Sequence, residues 1–358
     1  MTGKKEITLV APNWLGDAVM SLPLVGMLTA ARGVRLSVSA PEATARLYWR
    51  VPGVEELLVS PRGGPGHGAD WRARLLRRTA PTAVLLLPPS FSSALGPFLA
   101  RVPIRAGYRT DLRGILLTCG MATNGFRDRH LSTSYLRLGE AALRRMDVPC
   151  PERFETPRVV IAAEDDEALG RLLAERGVPA QYAVVVPGAT YGPAKSWPWE
   201  RYRELVSVLS REVTVVLAGT AGERDLCVRI GAGVENVIDV AGETTLGVFA
   251  ALLARASVVA CNDSGSPHLA ASLGTPVVVL FGSTSPTWTA PLGPRVEVVR
   301  HPVPCSPCFR RTCPTALECF GGIDVEVVLQ RIRSVSRHRE GPTADATKKQ
   351  FAHPARDR

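Results

Sequence analysis

Three segments of the sequence combine glycine, hydroxyl and charged side chains as ligand-binding loops do. They are PNWLGDAV, which contains Asp17, PGATYGPAKSWPW, which contains Lys195, and NDSGSPHL, which contains Asp263. Each segment follows a short apolar run that is typical of a buried strand. Open α/β sheets bind their ligands in the loops beyond the carboxyl ends of the strands. These three loops are therefore where we expect the chemistry of this protein.

Asp17 lies where the first helix is expected to begin. Aspartate is a favourable N-cap, and the bare pattern favours that structural role. A carboxylate at the same place can also act as a general base that takes a proton from a hydroxyl. The segment lacks G-x-G-x-x-G, so the sequence does not predict a dinucleotide-binding turn here.

The second segment predicts a phosphate-binding loop. Gly188 and Gly192 allow backbone amides to approach a ligand closely. Thr190 adds a hydroxyl, and Lys195 adds a cation beside a predicted helix start, where phosphates bind favourably. The Gly-Lys-Ser/Thr ending of a Walker loop is missing. The structural alternative is an ordinary turn that carries one solvated lysine.

The third segment predicts another anion site. Ser266 followed by Pro267 is expected to be the N-cap and first residue of a helix, which leaves the amides of residues 263–265 free. Asp263 can accept hydrogen bonds from sugar hydroxyls, and His268 is expected to face the same ligand. A further carboxylate, Glu223, follows another predicted strand, where an acidic residue commonly binds ribose. Together these features predict an enzyme that acts on a sugar linked to a nucleoside diphosphate.

The elements that must position these loops alternate between strands and helices. A length of 358 residues, with 46% apolar and 21% charged residues, favours two globular domains. The alternation predicts an α/β fold of two doubly wound, Rossmann-like domains with parallel sheets. Predicted strands cover 7–11, 35–40, 56–59 and 83–87, then 182–186, 214–218, 236–240, 258–260 and 277–281, followed by a short strand that ends at 299. We place an N-terminal domain at 1–155, a C-terminal domain at 156–335 and a disordered basic tail at 336–358.

Charge is distributed unevenly along the chain. Residues 1–160 contain 22 Lys and Arg against 12 Asp and Glu, whereas residues 161–330 contain 13 against 18. The basic N-terminal half favours an anionic partner. It lacks aromatic interleaving and any nucleic-acid recognition motif, so no nucleic-acid partner is expected. No apolar run is long enough to span a membrane, and Asn13 and Asp17 interrupt the first apolar stretch, which argues against secretion.

Four of the eight cysteines are concentrated in one Pro-rich segment. Their spacing is C-x2-C-x4-C-x5-C, formed by Cys305, Cys308, Cys313 and Cys319. Four thiols this close can hold a structural zinc ion or an iron–sulfur cluster. The alternatives are reduced thiols, or a disulfide that forms on isolation.

Taken together, the three loops resemble glycosyltransferase family 9, the ADP-heptose:lipopolysaccharide heptosyltransferases. The stretch APNWLGDAVMSLPL is most similar to the opening of the type II enzymes. PGATYGPAKSWPWERY and NDSGSPHLAASLGTPVVVLFGSTSP match the two other motifs of the family, in the same order. The resemblance runs from about residue 7 to 335. It implies a GT-B-like fold, in which an acceptor domain and a nucleotide-sugar donor domain face each other across a cleft.

The resemblance also implies roles for individual residues. The catalytic residues are Asp17, as general base, and Lys195. Donor-binding residues are Ala189, Thr190, Lys195, Glu223, Thr244, Asp263, Ser264, Gly265 and His268. Acceptor-binding residues are Asn13, Trp14, Arg109, Arg113, His130 and Tyr135. No cofactor is required for the reaction, and the oligomeric state is left open.

The reaction implied by the resemblance is inverting transfer of heptose from ADP-L-glycero-D-manno-heptose onto heptosyl-Kdo-lipid A. The partners would be the ADP-heptose donor and a phosphorylated Kdo-lipid A acceptor. The protein would be cytoplasmic and peripheral to the inner face of the inner membrane. One alternative is a type I or III enzyme with a different acceptor. Another is a nicotinamide-dependent oxidoreductase, which the missing G-x-G-x-x-G disfavours.

Overall fold

The computed structural model describes residues 4–60 and 67–337. Two compact units are present, and the chain passes from one to the other between Val160 and Ile161. The predicted tail lies outside the described residues, except that Ser336 and Arg337 continue the last helix. Within the described ranges, no helix is long and apolar enough to cross a membrane.

The N-terminal domain is built on a parallel sheet of six strands in the order β3-β2-β1-β4-β5-β6. The strands are β1 (Lys5–Val10), β2 (Val34–Pro41), β3 (Val54–Ser60), β4 (Ala83–Leu86), β5 (Ile104–Tyr108) and β6 (Cys119–Met121). The helices are α1 (Leu15–Met20), α2 (Leu22–Ala30), α3 (Glu42–Ala45), α4 (His67–Thr79), α5 (Phe91–Leu99) and α6 (Leu131–Arg145). Strand order reverses between β1 and β4, which makes the loops after these strands the expected ligand position.

The C-terminal domain repeats this topology, with strand order β12-β11-β10-β7-β8-β9. The strands are β7 (Tyr182–Val186), β8 (Thr214–Leu217), β9 (Val237–Asp239), β10 (Val259–Asn262), β11 (Val277–Phe281) and β12 (Val296–Arg300). The helices are α7 (Ala163–Glu175), α8 (Trp199–Leu209), α9 (Arg224–Gly231), α10 (Leu246–Arg255), α11 (Gly265–Ser272), α12 (Pro286–Thr289), α13 (Glu318–Gly321) and α14 (Val325–Arg337). Here the order reverses between β7 and β10, whose following loops contain Lys195 and Asp263.

Strand burial explains why the sequence folds into parallel sheets. Strands β4, β7 and β11 are buried along their whole length, as strands with helices on both faces must be. The predicted α/β class with two doubly wound sheets is thereby confirmed. The bounds predicted for 182–186 and 277–281 match β7 and β11. Sequence analysis did not predict β5 and β6.

Candidate functional site

Asp17 belongs to the first turn of α1, immediately after β1. The N-cap of that helix is Trp14, and its side chain makes no capping hydrogen bond. Asp17 is the third residue of the helix, so the interpretation of Asp17 as an N-cap is wrong. The side chain is half-buried. Its place in the first turn puts a negative charge near the positive end of the helix dipole, which is favourable, and leaves the carboxylate at the end of the domain where the loop after β1 lies.

Two buried tyrosines lie beside Asp17. The Tyr48 hydroxyl is 2.8 Å from Ser21 Oγ and donates to the Ala18 carbonyl at 3.3 Å, which fixes the ring against the end of α1. Burial raises the pKa of both Tyr48 and Tyr135, and the nearby charge of Asp17 adds to the increase. Both phenols therefore stay neutral. Two buried, uncharged tyrosines therefore lie near Asp17. Sequence analysis did not identify Tyr48.

The start of α6 brings two of the predicted acceptor residues to the same end of the domain. His130 is the N-cap of α6, and its Nδ1 accepts a hydrogen bond from the Ser132 amide at 3.2 Å. Ser132 Oγ donates to the Met20 carbonyl at 2.8 Å and so attaches α6 to the end of α1. Tyr135 follows one turn later and is 4% exposed. The packing of α6 on α1 thus brings Tyr135 near Asp17 and places His130 at the adjoining start of α6.

The remaining acceptor candidates differ in exposure. Asn13 and Trp14 are exposed directly before α1, and Arg109 is exposed after β5. Arg113 is 1% exposed, and its guanidinium donates to the carbonyls of Tyr108 and Pro88 and to Ser93 Oγ. Burial lowers the pKa of Arg113 to about 10. The predicted acceptor role of Arg113 does not fit, because these internal partners occupy its donors.

In the C-terminal domain, Lys195 and Asp263 form a nearly buried ion pair. Lys195 Nζ lies 2.7 Å from Asp263 Oδ2 and donates to the Asp263 carbonyl at 3.2 Å. Thr284 Oγ1 donates to the same Oδ2 at 2.6 Å. The two charged side chains are 16% and 4% exposed. An ammonium has three donors, so Lys195 retains one N–H for a ligand.

Asn262 connects the two loops that carry this pair. Its buried amide donates from Nδ2 to the Pro187 carbonyl at 2.6 Å. Its Oδ1 accepts from the Trp197 amide at 3.1 Å. Asn262 thus fixes both ends of the segment that contains Ala189, Thr190 and Lys195. Sequence analysis did not assign Asn262 a role, although a polar residue at the end of a buried strand was the available signal.

Helix α11 begins two residues earlier than predicted. Its N-cap is Ser264 and its first residue is Gly265, which places Pro267 third in the helix. Ser266 as the N-cap is therefore wrong, but the free amides still follow Asp263 directly. His268 lies in the first turn and is 4% exposed.

Two serine hydroxyls on neighbouring loops of this site lack a hydrogen-bond partner in the described structure. Within the described residues, buried Ser264 Oγ and Ser283 Oγ make no hydrogen bond. Buried hydroxyls in native proteins are normally hydrogen-bonded. Ser264 caps α11, and Ser283 directly precedes Thr284, which contacts Asp263. A ligand with several oxygen atoms would satisfy both groups.

Glu223 and Thr244 lie on the adjoining side of the same sheet. Glu223 Oε2 accepts from the Thr220 amide at 2.7 Å, and a Cβ at Gly188 would overlap Glu223 Oε1. Glu223 therefore borders the loop that follows β7. The Gly242 amide donates to the Gly219 carbonyl at 2.9 Å, which brings the loop of Thr244 beside that of Glu223. Thr244 is half-buried.

In the four-cysteine segment, Cys305, Cys308 and Cys313 lie near Cys319. Cys319 is buried, and its pKa is raised by burial first and then by the proximity of Cys305, Cys313 and Cys308. All four are free thiols. In residues 4–60 and 67–337, no three His, Cys, Asp or Glu side chains are already arranged to hold a metal ion. The segment thus contains four thiol donors, but the described structure does not arrange them as a metal site.

Comparison with known proteins adds independent evidence. The family model described as glycosyltransferase family 9 (heptosyltransferase) matches residues 72–317. Lipopolysaccharide heptosyltransferase 2 of Salmonella typhimurium is 31% identical over 315 residues, which cover 82% of this chain and 88% of that protein. The structure of ADP-heptose LPS heptosyltransferase II from E. coli superposes with a TM-score of 0.77 at 28% identity, covering 94% and 100% of the two chains. A family 9 glycosyl transferase from Veillonella parvula shares the fold, with a TM-score of 0.79 at 19% identity and coverage of 94% and 98%.

Proposed function

Because this chain belongs to glycosyltransferase family 9, we propose that it transfers heptose from ADP-L-glycero-D-manno-heptose onto heptosyl-Kdo-lipid A in lipopolysaccharide inner-core synthesis. The observation that carries the proposal is the group formed by Lys195, Asp263 and Thr284 at the ends of three neighbouring strands. This group, beside a free helix start, suits a sugar diphosphate.

The donor domain supplies charge stabilisation for the leaving group. The unused N–H of Lys195 and the amides at the start of α11 bind the phosphates, with Ala189 and Thr190 in the adjacent turn. Ser264, Gly265, His268 and Asp263 contact the phosphates and the donor sugar. Glu223 binds the ribose and Thr244 lies near the adenine. Preorganised donors of this kind stabilise ADP as it leaves, so the reaction does not require a divalent metal.

The acceptor domain supplies the base. Asp17 takes the proton from an acceptor hydroxyl while that oxygen bonds to the anomeric carbon and the bond from that carbon to the ADP oxygen breaks. Direct displacement inverts the anomeric configuration. Asn13, Trp14, Arg109, His130 and Tyr135 position the acceptor. Tyr48 and Tyr135 exclude water from one side of Asp17, which strengthens its interaction with the hydroxyl.

Acceptor choice is tested by mass spectrometry after incubation with ADP-heptose. Kdo-lipid A with no heptose and with one heptose are offered in parallel reactions. We expect one heptose to be added only to the acceptor that already carries one. Addition to the bare acceptor would instead identify a type I enzyme. Donor binding without transfer to either acceptor would show that the acceptor is different, as in a type III enzyme.

We further propose that the protein is cytoplasmic and binds the inner face of the inner membrane through an apolar tip on the N-terminal domain. Leu112 and Ile115 are 88% and 82% exposed. Between them, the buried Arg113 holds the 111–116 turn in place by donating to the Pro88 carbonyl. Asp111 Oδ2 also accepts a hydrogen bond from the Phe91 amide at 2.7 Å. Large aliphatic side chains held out rigidly in this way suit insertion into a lipid surface.

Two arginines, Arg109 and Arg105, lie on the segments next to this apolar tip. Arg109 packs against Gly114. Arg105 Nε donates to the Leu116 carbonyl at 2.6 Å, and its guanidinium lies over the ring of Phe98, which is 43% exposed. The first 160 residues carry the excess of positive charge. Each basic residue near an anionic bilayer contributes about 1 kcal/mol, so charge and apolar surface favour the same partner.

Replacing Leu112 and Ile115 together with Asp is expected to abolish sedimentation with phosphatidylglycerol vesicles. The change removes the inserted apolar surface and adds repulsion from the anionic lipid. Transfer to a detergent-solubilised acceptor should remain close to wild type. Val228→Asp is the matched control, because Val228 is 55% exposed on α9 in the other domain. Vesicle binding by the double variant equal to that of the control would contradict the membrane proposal.

We also propose that Cys305, Cys308, Cys313 and Cys319 hold a structural zinc ion or an iron–sulfur cluster. Protein purified anaerobically without chelators is expected to contain about one zinc ion, or the iron and sulfide of one cluster, per chain. Elemental analysis and visible absorption distinguish the two. Cys305→Ser with Cys308→Ser should lose the metal, whereas Cys119→Ser, outside the segment, should retain it. Metal-free wild type under these conditions would show that the four are reduced thiols.

A further inference from the structure

We propose that the four-cysteine segment, residues 305–319, is part of the donor site and that its Arg311 supplies a second cation to the donor's diphosphate. The inference rests on the proposed function and deepens it, because neither the three predicted ligand-binding loops nor the predicted donor residues include Arg311. It depends on how the segment is attached and on where its charge lies.

One side of the segment packs directly on the Lys195 loop. The Ala194 amide donates to the Arg311 carbonyl at 3.0 Å, and Tyr191 Oη donates to the Phe309 carbonyl at 3.0 Å. Gly192 lies so close that a Cβ there would be 2.6 Å from the Arg311 carbonyl oxygen. With a φ of +152°, position 192 also favours glycine. The backbone of the two loops therefore forms one unit.

The other side of the segment is attached to the loop that follows β11. The amides of Cys308 and Phe309 both donate to the Ser283 carbonyl, at 3.0 and 2.7 Å. Ser306 Oγ donates to the Gly282 carbonyl at 2.6 Å. Thr284, which follows Ser283 in the chain, donates from its hydroxyl to the Asp263 carboxylate. The segment thus connects the loop of Lys195 to the loop that orients Asp263.

This attachment places two cations around a single aromatic ring. Lys195 Nζ and Arg311 Cζ each lie 5.2 Å from the centroid of the Tyr191 ring, within the range of cation–π attraction. Asp263 neutralises Lys195. Arg311 is exposed, and no carboxylate in the described part of the chain forms an ion pair with it. Beside Tyr191, Arg311 therefore adds a positive charge that Asp263 does not neutralise.

A diphosphate fits this charge distribution. Its two phosphates carry more than one negative charge, which Lys195, already paired with Asp263, does not balance alone. A guanidinium presents a planar fork of N–H donors that matches phosphate oxygens. Arg311 can thus bind oxygens of one phosphate of the departing ADP, while the single free N–H of Lys195 binds an oxygen of the other phosphate.

The test compares nucleotide binding by Arg311→Ala and Arg310→Ala using isothermal titration calorimetry. Arg310 is the matched control, since it is an exposed arginine in the same segment, and in the described structure Arg311 is the one of the two that lies over the Tyr191 ring. We expect the Kd for ADP to rise about tenfold in Arg311→Ala, as for loss of one charge-assisted hydrogen bond. Adenosine affinity should not change, and Arg310→Ala should match wild type. Arg311→Lys should recover part of the loss, because it restores the charge without the fork.

The outcomes separate this inference from the proposed function. Wild type that binds ADP, together with equal ADP affinity in Arg311→Ala and Arg310→Ala, would overturn the role of Arg311 and leave the glycosyl transfer intact. Equal loss of ADP and adenosine affinity in Arg311→Ala would show a general disturbance of the loop and would also overturn it. Wild type that binds no ADP would overturn the proposed function and this inference together.

Discussion

Asp17→Asn is expected to lower kcat by about a thousandfold, within the range that general bases contribute. The amide has nearly the same shape as the carboxylate but does not accept a proton from the acceptor hydroxyl. Asp17 lies in the first turn of α1 beside two buried tyrosines, so the substitution should not disturb the helix start. The Kd for ADP should therefore be unchanged, because the proposed ADP site lies in the C-terminal domain. Single-turnover transfer with radiolabelled ADP-heptose measures the loss.

Asp70→Asn is the matched control for this change. Asp70 is exposed in the first turn of α4, in the same domain, and has no place in the proposed site. Its turnover and melting temperature should equal those of wild type. Turnover by Asp17→Asn within a few-fold of the control would exclude Asp17 as the base. A lower melting temperature in Asp17→Asn alone would point to a structural role instead.

The loop that contains Asp17 shows which features of the site a sequence pattern can predict and which it cannot. A β-branched run followed by a polar loop was enough to predict that Asp17 follows a buried parallel strand. The pattern favoured an N-cap over a base, although both roles use the same residue type at the same place. Only the backbone, with Trp14 at the N-cap, separates them. Local propensity thus located the candidate, and tertiary structure assigned its environment.

Strands β5 and β6 show where local patterns fail. Their sequences, IRAGY and CGM, contain a charged residue or glycine and few β-branched residues. They form strands because their neighbours β4 and β5 present open edges to them. Such tertiary effects override intrinsic preference in sheets.

The wrong prediction for Arg113 and the missing one for Asn262 have a different cause. Arginine is usually exposed, so an anionic ligand was the natural prediction for Arg113 in a basic domain. Its partners Pro88 and Ser93 lie 25 and 20 residues away in the chain. Those of Asn262 lie 75 and 65 residues away. Contacts between residues so far apart in the chain leave no helical or strand periodicity by which a single sequence could reveal them.

Lys195→Met is expected to weaken ADP binding by about a hundredfold, since it removes the cation closest to Asp263 and the N–H that remains for the phosphates. The variant should also lose about 3 kcal/mol of unfolding free energy. Asp263 is left almost fully buried with Thr284 as its remaining side-chain partner, and an uncompensated buried charge is strongly destabilising. Calorimetric titration with ADP and chemical denaturation measure the two effects.

A second substitution separates binding from stability. Adding Asp263→Asn to Lys195→Met removes the unpaired charge, so the double variant should regain most of the lost stability while ADP affinity stays low. Arg201→Met is the control, because its ion pair with Glu204 is exposed and contributes little. Recovery of both stability and ADP affinity in the double variant would mean that Lys195 only neutralises Asp263. Continued loss of affinity with restored folding would assign the ammonium of Lys195 directly to the diphosphate.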